Sequence, residues 1–206
     1  MTILLSDPRV VAIDVLDNAE PLVRLDQALG RRSFVRSGVA RRLATAQALL
    51  PAGIHLHVVE GHRSLSSQAA IVASYSAELC AVHPGISPDD LHRLASRFVA
   101  PVEVAPHVAG AAVDVTLLDA DGDELDLGTP IDATPEQSGG RCYFDAADIS
   151  ADARANRALL AAALGSAGLV NYPTEWWHWS YGDRYWALLT GAPHALYGPL
   201  DLRRAA

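Results

Sequence analysis

Short stretches of alternating apolar and polar residues and longer stretches of helical spacing divide this chain into predicted strands and helices. Residues 54–59, Ile-His-Leu-His-Val-Val, alternate and predict a strand with His55 and His57 on a polar outer side. Residues 111–118 form a second, apolar strand that Asp114 interrupts. The acidic stretch 119–123 reads as a hairpin turn, because it lacks the glycine spacing and terminal Glu of a calcium loop, and residues 124–127 then return as a strand. Aromatic-rich residues 176–181 predict a further strand, with Trp176, His178 and Ser180 on one face and Trp177, Trp179 and Tyr181 on the other. Residues 10–15 and 21–25 read as short strands. Helical spacing marks residues 37–50 with Ser37 as N-cap, 66–81, 87–98 opened by Ser87 and Pro88, 150–167 capped by Ser150, and 183–190. The fold class expected is α+β: a single domain over residues 1–206, with a central, mainly antiparallel sheet flanked by helices. Residues 1–53 serve as an N-terminal scaffold segment and 54–190 as the core.

Composition narrows the class of protein. Half of the 206 residues are apolar and 19% are charged, which supports one good-sized core and argues against disorder. The formal charge of −8 argues against nucleic acid as a partner, since phosphate binding needs a basic face. All 16 basic residues are Arg, and Arg31, Arg32, Arg36, Arg41 and Arg42 gather around the helix at 37–50, where they read as a solvated face. No basic leader precedes an apolar run, and no stretch approaches the ~20 apolar residues that span a bilayer, so no membrane partner is expected. Cys80 and Cys142 lie far apart without metal-type spacing and read as reduced thiols, which suits a cytoplasmic protein. The oligomeric state stays open, a homo-oligomer included.

Two segments carry the candidate chemistry. Residues 173–181, Pro-Thr-Glu-Trp-Trp-His-Trp-Ser-Tyr, place a carboxylate and an imidazole among three of the chain's four Trp. His178 by itself reads as a core histidine donating to a carbonyl. The segment Pro106-His107-Val108-Ala109-Gly110-Ala111-Ala112-Val113-Asp114 changes the balance. A lone carboxylate in a buried strand is costly unless it is paired or bound to a cation. His107, Asp114 and His178 are the right number and type of ligands for a catalytic zinc site that keeps one position open for water, one Zn2+ per chain. Glu175 then stands as general base beside that water. The chain contains no His-Glu-x-x-His and no Gly-x-Ser-x-Gly, which excludes the thermolysin arrangement and leaves a serine-hydrolase elbow without support.

His-x-x-Gly-x-Ala-x-Asp at 107–114 followed by Glu-x-x-His at 175–178 resembles the zinc D-alanyl-D-alanine dipeptidases of the vancomycin-resistance type. These belong with zinc D,D- and L,D-carboxypeptidases of cell-wall peptides. Glu60-Gly61-His62-Arg63-Ser64, Leu127-Gly128-Thr129-Pro130-Ile131-Asp132 and Asn156-Arg157-Ala158-Leu159-Leu160 are similar to the dipeptidase branch and occur in its order, so the resemblance covers residues 54–190. It implies a zinc metallopeptidase that hydrolyses a small dipeptide, D-Ala-D-Ala above all. It further implies that Arg63 stabilises the developing oxyanion and that Asp132 pairs with the substrate ammonium and closes the pocket. Read from the residues alone, Arg63 is a surface Arg, Asp132 is equally a turn residue, and Asn156 and Arg157 either support the site or face solvent. Ala105, His62 and Ser64 depart from the Ser, Tyr and Pro that the family carries at those positions, a change that bears on the pocket rather than on metal or base. The alternatives are a zinc D,D- or L,D-carboxypeptidase on longer peptides and a zinc-bound peptide-binding module without catalysis. Retention of both Glu175 and Arg63 speaks against the module.

Overall fold

The structure, a computed structural model, describes residues 2–30 and 33–200. In chain order these form α1 (Pro8–Val11), β1 (Leu22–Arg24), β2 (Phe34–Arg36), α2 (Ser37–Leu49), β3 (His55–Glu60), α3 (Leu65–Val82), α4 (Pro88–Ala95), β4 (Ala112–Leu118), α5 (Pro135–Ser138), α6 (Ala151–Ser166), β5 (Val170–Asn171), β6 (His178–Ser180) and α7 (Arg184–Thr190). Single 3-10 turns occur at Gln27–Leu29 and Val102–Val104. The mixture of helices with an antiparallel sheet is the α+β class expected.

β4 is buried along its length up to Thr116 and Leu117, as suits a strand with both faces covered. It pairs antiparallel with β3 on one side and β6 on the other, and β6 pairs antiparallel with β5. The sheet order is therefore β3-β4-β6-β5, while β1 and β2 make a separate antiparallel pair. Residues directly opposite in such a ladder share a face. Leu56, Val58, Val113, Val115, Leu117 and Trp179 accordingly point one way, into the main core with Val39, Leu43 and Ala46 of α2 and Leu160, Ala163 and Leu164 of α6. Each fully buried Leu in this layer is worth roughly 1.5–3 kcal/mol of apolar burial. Asp114, His178 and Ser180 point the other way.

The edge of this polar face depends on a register shift. Val58 faces Val115, but the next residue to face β4 is Glu60, opposite Asp114. Val59 is the extra residue of a β-bulge, which also bends the strand. Glu60, Asp114 and His178 thereby form one row across three strands.

Several expected elements take another form. Residues 10–15 are not a strand. The Asp7 carboxylate caps the Arg9 amide and Pro8 occupies the first turn, so a short helix forms there instead. Ser37 is the first helical residue of α2 and not its cap. The capping carboxylate belongs to Glu20, which accepts from the Gly38 amide and the Ser37 hydroxyl. Arg36, expected on a solvated face, is buried. Its guanidinium donates to the carbonyls of Ala109, Glu20 and Gly198 and pairs with Asp17 at 2.6 Å. Arg31 and Arg32 of the same cluster lie outside the described residues. The strand expected at 124–127 reduces to one bridge, Leu118 to Glu124, because the Asp119 carboxylate draws the amides of Asp121 and Asp123 into a closed turn. That turn lies at the end of β4 away from Asp114. A further short helix, α5, is opened by a capping box of Thr134 and Gln137.

Candidate metal centre and the cavity around it

His107 stands in the tight turn that delivers the chain into β4. The turn closes through amides of Gly110 and Ala111, which donate to the carbonyls of His107 and Pro106. Gly110 holds φ +66°, and a Cβ there would fall 2.6 Å from the Leu22 side chain, so the Gly of His-x-x-Gly answers both a backbone and a space requirement. The imidazole Nδ1 of His107 donates to the Gly61 carbonyl at 2.7 Å, and the His107 carbonyl accepts from the Arg63 amide at 3.1 Å. This pair of bonds ties the loop after β3 to His107 and fixes the tautomer that leaves Nε2 with its lone pair.

That lone pair meets the other two donors. His107 Nε2 lies 3.1 Å from His178 Nδ1 and 3.4 Å from Asp114 Oδ2, and His178 Nδ1 lies 3.1 Å from Asp114 Oδ1. All three residues are buried, and their ligand atoms fall within 4.8 Å of one another. Burial opposes the charge on Asp114, yet the two imidazoles hold its carboxyl well below the usual carboxylate range.

Glu175 reaches this cluster through a turn and not along a strand. The strand expected over 176–181 is confined to His178–Ser180. The side-chain amide of Asn171 donates to the carbonyls of both Glu175 and His178 at 2.9 Å, and the His178 amide bonds the Glu175 carbonyl. Those bonds curl the segment out of the ladder, so Trp176 does not share a strand face with His178. Trp176 and Trp177 pack edge-on at 5.4 Å, with the Trp176 indole donating to Thr129. The turn brings Glu175 Oε2 to 3.7 Å from His178 Nδ1. Burial, and then the neighbouring charges of Asp114 and Asp132, push the Glu175 carboxyl well above the ordinary range. A cation held by the triad would oppose this shift.

A cavity of about 300 Å³ opens over the cluster, and all six residues singled out in the sequence line it: Arg63, His107, Asp114, Asp132, Glu175 and His178. Arg63 is gripped from two sides, by both carboxylate oxygens of Glu60 and by the Gln68 amide oxygen. Asp132 adopts φ +64°, a left-handed conformation that Asp tolerates better than most residues. Burial first, then Asp114 and Glu60, raise its pKa. The remaining lining includes residues for which the sequence offered little signal. Leu5, from the segment taken as mere scaffold, forms part of the wall, its amide donating to the Tyr172 hydroxyl at 3.2 Å. Tyr172 in turn donates to the Ser96 carbonyl. Gln68 gave no sign beyond its place in a helical run.

Of the departures noted, Ala105 lines the cavity and Ser64 caps α3. Arg157 supports the site from behind. Its buried guanidinium donates to the carbonyls of Leu127, Arg141, Tyr143 and Phe144, holding the segment that carries Asp132. Asn156 adds a bond to the Asp126 carbonyl.

Zinc bound tetrahedrally at 2.0–2.1 Å sets its ligand atoms about 3.3 Å apart. The three separations here, 3.1, 3.1 and 3.4 Å, match that spacing, and the two-imidazole, one-carboxylate donor set fits the ion. Fold and site together define a metallopeptidase. Residues 17–190 match the peptidase M15 family, described as D-ala-D-ala dipeptidase, and the chain belongs to that zinc-dependent family. It is 30% identical over 182 residues to a D-alanyl-D-alanine dipeptidase of Synechocystis sp., covering 77% of this chain and 73% of that one. It is 38% identical over 72 residues to a D-alanyl-D-alanine dipeptidase of Escherichia coli, covering 35% of each. A vancomycin-resistance D,D-pentapeptidase VanY mutant solved with Zn(II) superposes with a TM-score of 0.48 at 16% identity, covering 95% of this chain and 94% of that one. VanYB in complex with D-alanine-D-alanine gives 0.49 at 16% identity, covering 85% and 87%. Among the described residues no helix is long and apolar enough to cross a membrane.

Proposed function

We propose that this single peptidase domain hydrolyses a free dipeptide of the D-Ala-D-Ala class. The observation that carries the reading is the convergence in one cavity of a buried two-His, one-Asp cluster, a carboxylate 3.7 Å from it, a guanidinium and a second carboxylate. His107, Asp114 and His178 would hold zinc, which would supply a Lewis acid able to make a water acidic near neutral pH and to polarise a carbonyl. Glu175 takes the proton from the attacking water and passes it to the leaving amine, a role that suits a carboxylate lying 3.7 Å from His178 in the cavity wall. Arg63 faces the developing oxyanion with a charge that does not titrate in the working range. Asp132 receives the substrate ammonium, and as a counter-charge fixed in the cavity wall it limits the substrate to one whose free amine lies within reach. The free thiols, Cys80 exposed and Cys142 buried, suit a reducing compartment such as the cytoplasm.

The test is amine release by the zinc-loaded protein from D-Ala-D-Ala, L-Ala-D-Ala, L-Ala-L-Ala and a D-Ala-D-Ala-terminated pentapeptide, each with a chelator control. Chelator-sensitive cleavage of D-Ala-D-Ala with the pentapeptide left intact is the expected result. Cleavage of the pentapeptide would replace this reading with a carboxypeptidase, and zinc binding without turnover of any substrate would overturn it.

A further inference from the structure

We propose that Gln68 is a positioning residue that acts through Arg63. The proposal rests on Arg63 serving the reaction as just described, and it follows from how the guanidinium is held. Arg63 has five N–H donors in a rigid fork. Nε and one N–H of Nη2 go to the two Glu60 oxygens, and one N–H of Nη1 goes to the Gln68 Oε1 at 2.9 Å. One N–H remains on each terminal nitrogen, and the side chain lines the cavity beside His107 and Asp114. Glu60 alone fixes one edge of the guanidinium plane. Gln68 supplies the second anchor, on the other terminal nitrogen, and so sets where the two remaining donors sit.

Gln68 is itself built in. It is 1% exposed, and its Nε2 donates to the Ala100 carbonyl at 2.8 Å. Only one orientation of the amide satisfies both neighbours, since a flip would set an NH2 against the guanidinium and an oxygen against the Ala100 carbonyl. The chain Glu60–Arg63–Gln68–Ala100 thus spans the end of β3, the first turn of α3 and the segment after α4. Glu60 occupies the row with Asp114 and His178, so the position of the guanidinium is referred to the same strands that place the candidate metal ligands.

The experiment is a double-mutant cycle on zinc-loaded protein with the dipeptide, using Arg63→Ala and Gln68→Met, with zinc content and thermal unfolding recorded for each variant. Gln68→Met should lower kcat ~10-fold at unchanged zinc content, the usual scale for a partner that orients an active group. In the Arg63→Ala background the same change should cost nothing further. Gln68→Glu, which keeps an acceptor oxygen for Arg63 and gives up the bond to Ala100, should retain more activity than Gln68→Met. It also serves in the cycle if the Met variant does not fold. Equal losses from Gln68→Met in both backgrounds, or a Gln68→Glu variant as impaired as Gln68→Met, would overturn the positioning role while leaving Arg63 in place. An Arg63→Ala variant with full activity would instead overturn the reading of Arg63 and the proposal with it.

Discussion

Glu175 and His107 occupy the same few ångströms, and their replacement should separate two kinds of failure. Glu175 contributes no donor to the three-residue cluster, whereas His107 contributes Nε2 and has its other nitrogen committed to Gly61. Glu175→Ala should therefore keep zinc and lose ~10²-fold or more in kcat, the scale of a positioned acid–base group. His107→Ala should lose the metal along with the activity. Zinc analysis and steady-state rates on the two variants check both, and an unchanged rate for Glu175→Ala would remove it from its role. His107, Asp114, Glu175 and His178 stood out by residue type, because an imidazole or carboxylate among apolar and aromatic residues is conspicuous, whereas Arg63 and Asp132 were singled out only by the resemblance of their motifs. The part of Gly61 was not legible, since what it gives the site is a carbonyl, and any residue has one. Leu5 and Tyr172 were hidden for the opposite reason, as apolar and aromatic side chains that look like ordinary core.

Glu20 shows the same blindness for an element. Its carboxylate accepts from the amide and hydroxyl at the start of α2, from the Tyr197 hydroxyl and from Arg41, joining residues far apart in the chain. Burial opposes ionisation here, but these hydrogen bonds outweigh it and lower the folded-state pKa. A lowered carboxyl pKa contributes stability that is fully present above the unfolded value and is lost as pH falls through the folded one. Glu20→Gln should thus cost about 1 kcal/mol at neutral pH, typical of a lost helix cap, and the gap from the parent should narrow on acidification below pH ~4. Melting curves across pH 3–7 measure it; a gap that is constant with pH would show that the charge is not responsible. Local pattern located α2, α3, α4, α6 and α7 because helical spacing is local. It misjudged residues 10–15 and 176–181, where a capping Asp with Pro and a side-chain amide from Asn171 outbid strand propensity.

At the scale of the molecule, the candidate zinc site joins the loop before β4, β4 itself and β6, while the cavity above it takes its walls from segments as far apart as Leu5 and His178. An ion that binds only the folded arrangement stabilises the whole by mass action, roughly 2.7 kcal/mol at a hundredfold excess over Kd. For a domain of this size, removal of zinc with a chelator should lower Tm by ~5–10 °C, and added zinc should restore it. Unfolding curves with and without chelator check this, and identical curves would mean that the three donors do not hold an ion in the folded state. The single-domain α+β outline followed from the order of strands and helices. The separate β1–β2 pair and the docking of Leu5 over the cavity did not, because contacts between distant segments leave no periodic trace.

The bulge in β3 makes the site tolerant of one particular change in chain length. Loss of either of the adjacent valines, Val58 or Val59, leaves His-Leu-His-Val-Glu, an unbroken alternation in which Glu60 still faces Asp114 and Arg63 still follows at the same remove. A deletion within β4 has no such spare residue and would turn Asp114 toward the core. Related chains that differ by one residue should therefore differ at the paired valines and keep the length of β4, a mark that lineage comparison would show as a gap confined to that doublet.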